Sequence, residues 1–235
     1  MHAATVKKEL DKLGNPEQAA QLRRFFKTGP GDYGEGDQFI GIRVPEQRRI
    51  AKRHLDLSLT ETADLLTSPI HEHRLTGLLI LVEQYARCKN AETRQQIVDF
   101  YIAHLDRVNN WDLVDLSAPK ILGEHLLHHP HARGMLSIMA QSANLWERRV
   151  AVLATWPMLK QRQFAELLTL AEYLLRDTHD LMHKAVGWML REAGKVDLDV
   201  LVKFLEKHAG AMPRTMLRYA IERLDSDRKQ KFMGR

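Results

Sequence analysis

The sequence predicts an all-α protein, an α-α superhelix (solenoid) of HEAT-like helix pairs with a concave basic groove. Three observations lead there. Apolar residues recur at helical spacing along most of the 235 residues, and strand patterns are almost absent. The stretches between them are short and carry Asn, Asp, Gly or Pro, as paired helices require. Small residues recur inside the helical stretches at Gly77, Ala118, Ala151, Gly187 and Ala220, at separations within or near the range of paired-helix repeats.

The elements follow in order. Asn15-Pro16-Glu17 sets a capping side chain before a proline in the first turn, opening a helix to about Phe26. Pro45 opens the next, to about His54, and Ser58 with Glu61 has capping-box spacing. Later helices read at about 69–86, 91–104, 111–127, 131–140, 144–158, 161–175, 179–193, 197–208 and 213–224. A glycine inside a helix costs about 1 kcal/mol relative to alanine. Gly77 and Gly187 therefore mark places where helices pack closely. The chain reads as a single repeat domain over 1–235, with an irregular helical bundle as the alternative. Its one non-helical stretch is a glycine-rich loop at about 28–38. No Gly-Lys-Ser/Thr follows it, and Asp32, Glu35 and Asp37 would repel phosphate. A flexible connection between two helices is the expectation, with a substrate-side lid as the alternative kept beside it.

Composition narrows the class. Apolar residues make up 44%, charged residues 28% of mixed sign, and the net charge is +5, which permits nucleic-acid binding without requiring it. Cys88 is the only cysteine, which excludes an intramolecular disulfide and a cysteine-based metal site. The start of the chain has no apolar leader, and no apolar run approaches the roughly 18 residues of a spanning helix. A cytoplasmic protein that does not enter membranes is expected. His179 and His183 are four apart, and His128, His129 and His131 cluster. Neither set has a third ligand at a metal spacing, so no metal and no other cofactor are expected.

One constellation carries chemistry. Trp111 and Asp115 stand i, i+4, which on a helix puts indole and carboxylate side by side. Arg149 and then Trp188 follow at intervals of about 38 and 39 residues, which in a repeat array returns each to one wall. Asp115 lies a full turn inside its helix, beyond any capping role and at the margin of an apolar face. A solvated surface carboxylate and a functional one both remain open. Trp111 and Trp188 are core packers or groove-lining rings, while Trp146 and Trp156 read as core. Arginine suits phosphate because its planar donors can bind two oxygens. Arg43, Lys184 and Arg191 would join Arg149 in a track for a nucleic-acid backbone if they share a face.

These residues resemble those of the AlkD-like DNA alkylation-repair glycosylases, all-helical proteins of HEAT-like repeats. The likeness covers nearly the whole chain. It lies in Trp111-Asp112-Leu113-Val114-Asp115 with Pro119 and Leu122-Gly123, in Trp146-x-x-Arg149-x-Ala151, in Lys184-Ala185-x-Gly187-Trp188-x-Leu190-Arg191-Glu192, and in Gly41-Ile42-Arg43-x-Pro45-Glu46. It implies monofunctional excision of cationic N3- or N7-alkylated purines from double-stranded DNA, without flipping the base into a pocket. It implies that Asp115 is the catalytic carboxylate, that Trp111 and Trp188 contact the lesion's deoxyribose, and that Arg149 helps hold the DNA backbone. Arg43 stands where a characterised relative has glutamine, and Phe25 falls near a position that can be tyrosine. Both belong to the DNA-binding set and bear on lesion choice. A monomer acting on alkylated duplex is the expected assembly. The alternatives are a non-catalytic repeat protein that binds DNA structures, and a protein-interaction scaffold.

Overall fold

A computed structural model describes residues 1–234 and is all-α, with no strand among them. The chain divides after Ile121 into two compact units.

The first unit contains α1 (Ala3–Asp11), α2 (Pro16–Phe25), α3 (Val44–Arg53), α4 (Leu59–Leu66), α5 (His71–Arg87), α6 (Ala91–Ala103) and α7 (Trp111–Ser117). Its centre is α5, a helix of 17 residues against which α1, α3, α4, α6 and α7 pack. Helix starts follow local chemistry. The side chain of Asn15 accepts from Gln18 N, Asn90 from Thr93 N and Asn110 from Trp111 N, each satisfying an amide that the first turn leaves unpaired. At α4 only half of the expected capping box forms. Ser58 Oγ accepts from Glu61 N at 3.3 Å, but the Glu61 carboxylate accepts from Ala3 N at 2.6 Å and so caps α1 instead. That cap comes from a residue far along the chain, which is why sequence reasoning missed α1.

The second unit holds α8 (Glu124–His128), α9 (Gly134–Met139), α10 (Leu145–Leu153), α11 (Trp156–Lys160), α12 (Ala165–Tyr173), α13 (Asp180–Val196), α14 (Leu198–His208), α15 (Arg214–Ile221) and α16 (Ser226–Met233). Another helix of 17 residues, α13, is its centre and packs against α10, α11, α12, α14 and α15. Sequence reasoning missed α16 as well, a polar helix whose start is capped by Asp225.

Two helices expected to be continuous are interrupted, and proline causes both breaks. After α7, Pro119 removes an amide from the ladder and the backbone widens into a π-turn over Pro119–Gly123 before α8 begins. Pro157 similarly denies an amide to the end of α10, and the chain restarts as α11. The interior glycines do mark close approaches. A Cβ on Gly77 would sit 3.1 Å from Leu65 Cβ of α4, and one on Gly187 would overlap the Met216 carbonyl of α15.

Candidate functional site

Helix α7 starts at the Asn110 cap, so Trp111 occupies its first position and Asp115 lies one turn on, both half-buried. Leu113, Val114 and Ser117 face the core and set which side of the helix turns outward. Asp115 is therefore neither fully solvated nor sealed in apolar packing. Behind it, Ser117 Oγ donates to Leu113 O, which leaves its lone pairs to accept from the fully buried Tyr101 hydroxyl at 2.9 Å. Burial first, then the negative charge of Asp115, push the Tyr101 phenol above its ordinary value against the opposing effect of its hydrogen bond with Ser117. Tyr101 stays neutral, and the negative charge in this neighbourhood rests on Asp115.

Trp111 is held by rings. Its indole stacks on Phe26 at 5.0 Å and 11°, and Phe25 meets it edge-on at 5.8 Å. Phe26 is buried and stacks in turn on Phe39, whereas Phe25 is 65% exposed. Phe25 thus leaves most of its ring in solvent beside a half-buried indole. The sequence singled out Phe25 but not Phe26, which anchors the indole.

Beneath these rings lies a buried ionic cluster that no spacing in the sequence announces. The first four residues of α5, His71, Glu72, His73 and Arg74, are all buried. His71 Nδ1 meets Asp37 Oδ2 at 2.8 Å and its Nε2 meets Asp112 Oδ2 at 2.9 Å. Arg74 donates to Asp37 Oδ1 at 2.5 Å, and Asn110 donates to Asp37 Oδ2 at 3.1 Å. Burial alone would lower the His71 pKa, but the Asp112 and Asp37 carboxylates outweigh it and raise it to about 9. His71 is an imidazolium at neutral pH. Burial would likewise raise Asp37, yet His71 and Arg74 hold its carboxyl below the ordinary aspartate value. Asp37 lies near the end of the glycine-rich stretch, and its contacts pin that end within the first unit. Freeing Asp37 would strand buried charge, so this end of the expected flexible connection is held in place.

A pH dependence follows. A raised histidine pKa contributes stability that is complete below the free value near 6.5 and is lost as pH climbs through about 9. The melting temperature should fall from pH 7 to pH 10, with on the order of 2–3 kcal/mol at stake. In His71→Gln that decline should flatten. Parallel melting curves for the two proteins across this range would refute the ionised bridge.

In the second unit, Trp188 is half-buried on α13 and donates from Nε1 to Glu192 Oε1 at 3.1 Å. Trp156 meets it edge-on at 5.1 Å and 68°, with Lys160 over the Trp156 ring at 5.5 Å. This corrects the expectation that Trp156 belongs to the core. Trp146 does, at 8% exposure. The cations diverge from a bare phosphate track. Lys184 pairs with Asp180 at 2.7 Å, and Arg191 pairs with Glu222 and lies near Glu192. Arg149 is 5% exposed and donates to Leu181 O at 2.7 Å. Such burial leaves little guanidinium surface for a phosphate and suits a residue that positions α10 against α13. Arg43, in the first unit, is exposed; its side chain caps no amide and has Gln18 as a polar neighbour at 3.4 Å.

No three histidine, cysteine, aspartate or glutamate side chains among the described residues group as a metal site. Among them too, no helix is long and apolar enough to cross a membrane.

The sequence model of the family described as DNA alkylation repair enzyme matches residues 6–224. Among solved structures, a predicted DNA alkylation repair enzyme from Enterococcus faecalis is similar, at 19% identity and a TM-score of 0.72 over 91% of this chain and 97% of that one. AlkD2 from Streptococcus mutans is similar at 16% identity and a TM-score of 0.57, covering 89% of this chain and 99% of its own. These likenesses are of fold. No curated protein matches the chain significantly.

Proposed function

The chain belongs to the DNA alkylation repair enzyme family, and from that membership we propose that it is a monofunctional DNA glycosylase. Its substrate is a purine made cationic by alkylation at N3 or N7, such as 3-methyladenine or 7-methylguanine, in double-stranded DNA. The observation that carries this reading is the half-buried Asp115 one helical turn from a half-buried Trp111, with the neutral Tyr101 behind it.

The chemistry is hydrolysis at C1′. The C1′–N9 bond breaks and its electron pair moves to the base, which leaves neutral because it began as a cation. Positive charge then appears on the sugar as an oxocarbenium ion. A fixed carboxylate lowers the energy of that charge where it develops, and its position is already organised by the helix. Asp115 can also accept a proton as water attacks C1′, completing the abasic site. The face of Trp111 adds cation–π attraction in a site it shields from water. A leaving group that departs unaided needs no pocket to extract and protonate it, consistent with excision without base flipping. Trp188, in the second unit, keeps the sugar-contacting role that the resemblance implies, as a separate proposal.

Alkylated duplex is the proposed partner, bound by a monomer inside the cell and without a cofactor. Incubating the protein with methylated duplex DNA and chromatographing the released bases tests the function. Free 3-methyladenine or 7-methylguanine above the spontaneous rate is expected, and release of neither defeats the reading.

The DNA-binding residues should separate by burial. Arg43→Ala should weaken duplex binding on any sequence and reduce the salt slope by about one. Arg149→Ala should instead lower the urea midpoint, because it removes a buried donor from Leu181 O. An unaltered slope in the first variant, or an unaltered midpoint in the second, would count against this division.

A further inference from the structure

The cluster beneath α7 reaches the proposed site by two routes through one side chain. Asp112 lies in the first turn of α7, between Trp111 and Asp115. Its Oδ1 accepts from Leu113 N at 2.8 Å while its Oδ2 meets His71. The imidazole also stacks on Phe39 at 4.5 Å, Phe39 on Phe26, and Phe26 on Trp111. One ring therefore holds the helix start through Asp112 and the indole through the stack.

We propose that His71 is a positioning residue for Trp111 and Asp115, its two ring nitrogens tying Asp112 of α7 to Asp37 of the glycine-rich loop. The catalytic consequence rests on the glycosylase reading, but the tie itself does not. Charges around the ring support a specific role. Asp37 and Asp112 face it directly, and Arg74 on its own helix holds the other oxygen of Asp37. Glu72 turns away to accept from Ile40, Gly41 and Ile42 amides. With His71 protonated, the linked set of two carboxylates, one guanidinium and one imidazolium is neutral. A histidine that only filled space would be exchangeable for an apolar side chain of like size. Here that exchange leaves excess negative charge buried at the start of α7 and releases Asp112 from its anchor. A shift of the reacting groups by a fraction of the substrate's dimensions is enough to slow catalysis strongly.

His71→Gln and Asp112→Asn test the tie, the second retaining an oxygen to accept from Leu113 N. With alkylated duplex as substrate, kcat for 7-methylguanine release should fall about tenfold or more, while KM for the duplex stays within about threefold. A second readout needs no activity. The emission of Trp111, identified by difference against Trp111→Phe, should titrate with a midpoint near the His71 value of about 9. That titration should vanish in His71→Gln and move to lower pH in Asp112→Asn, which keeps the test open if the first variant does not fold. Unchanged kcat in a folded variant of an active enzyme overturns the proposal. So does a Trp111 titration that survives the loss of His71. If the wild type releases no base, the glycosylase reading fails and the fluorescence titration decides the tie alone.

Discussion

Asp115→Asn should release 7-methylguanine from alkylated duplex about 10²–10³-fold more slowly than the wild type, with duplex affinity nearly intact. The substitution is isosteric; it removes the charge and turns one of the two acceptor oxygens into a donor. If the carboxylate acts on an oxocarbenium ion that exists only near the transition state, the loss belongs in kcat. A matching loss in binding would mean that Asp115 acts in the ground state. Equal rates would remove it from the mechanism. The half-burial of the residue matters to the size of the effect, because a partly dehydrated carboxylate is screened less than one in open water.

Gly41→Ala should destabilise the first unit by about 3–5 kcal/mol, the largest effect expected away from the catalytic carboxylate. Gly41 has φ of +88°, and a Cβ there would overlap the Asn15 carbonyl and lie 2.7 Å from Ala19 N. Both neighbours are backbone at the start of α2, so neither can swing aside. Relief would require α2 to move, disturbing the Asn15 N to Ile40 O bond at 2.8 Å and the Glu72 contacts with the 40–42 amides. Gly31 provides the control, since it also has positive φ, +77°, but meets nothing within 4 Å. Gly31→Ala should cost only the backbone strain, about 1 kcal/mol. Urea unfolding of the two variants measures the difference. Similar losses at both positions would show that steric overlap contributes little at Gly41. Because α2 carries Phe25, a folded but shifted Gly41 variant should also bind duplex less tightly.

The helices were legible where their signals are local. Asn15 and Asn110 cap the amides beside them, and Pro16 sits where its missing amide costs nothing. The pairing of Trp111 with Asp115 needed only the helical period. Legibility ended where partners are distant in sequence. The α1 cap is Glu61, 58 residues from Ala3, and the partners of His71 lie 34 and 41 residues away. Nothing in the spacing of a histidine, two aspartates and an arginine says that they will be buried together. The glycine-rich stretch looked flexible for the same reason, since its glycines are visible in the sequence and the pin through Asp37 is not.

Charge was legible as a total and not as a distribution. Lys184 and Arg191 count toward the basic composition, yet Asp180 and Glu222 neutralise them locally. Of the adjacent pair Arg148 and Arg149, one is expected from sequence to face solvent or to pair with a neighbouring carboxylate, and the partner is what the sequence does not name. Arg148 pairs with Asp177 at 2.7 Å, and Arg149 is the buried one. Breaks in helices followed from proline, but their depth did not. Pro119 could have been absorbed as a kink, and only the packed structure shows the π-turn that follows α7.

The lesion's own positive charge is the point on which the proposed chemistry turns. A duplex containing a single 7-methylguanine should be compared, under single turnover, with one containing 7-methyl-7-deazaguanine. The second base carries the same methyl group without the charge. Release of 7-methylguanine and none of its neutral isostere is the expected result. Comparable release of both, or of neither, would contradict a carboxylate enzyme that acts on cationic leaving groups.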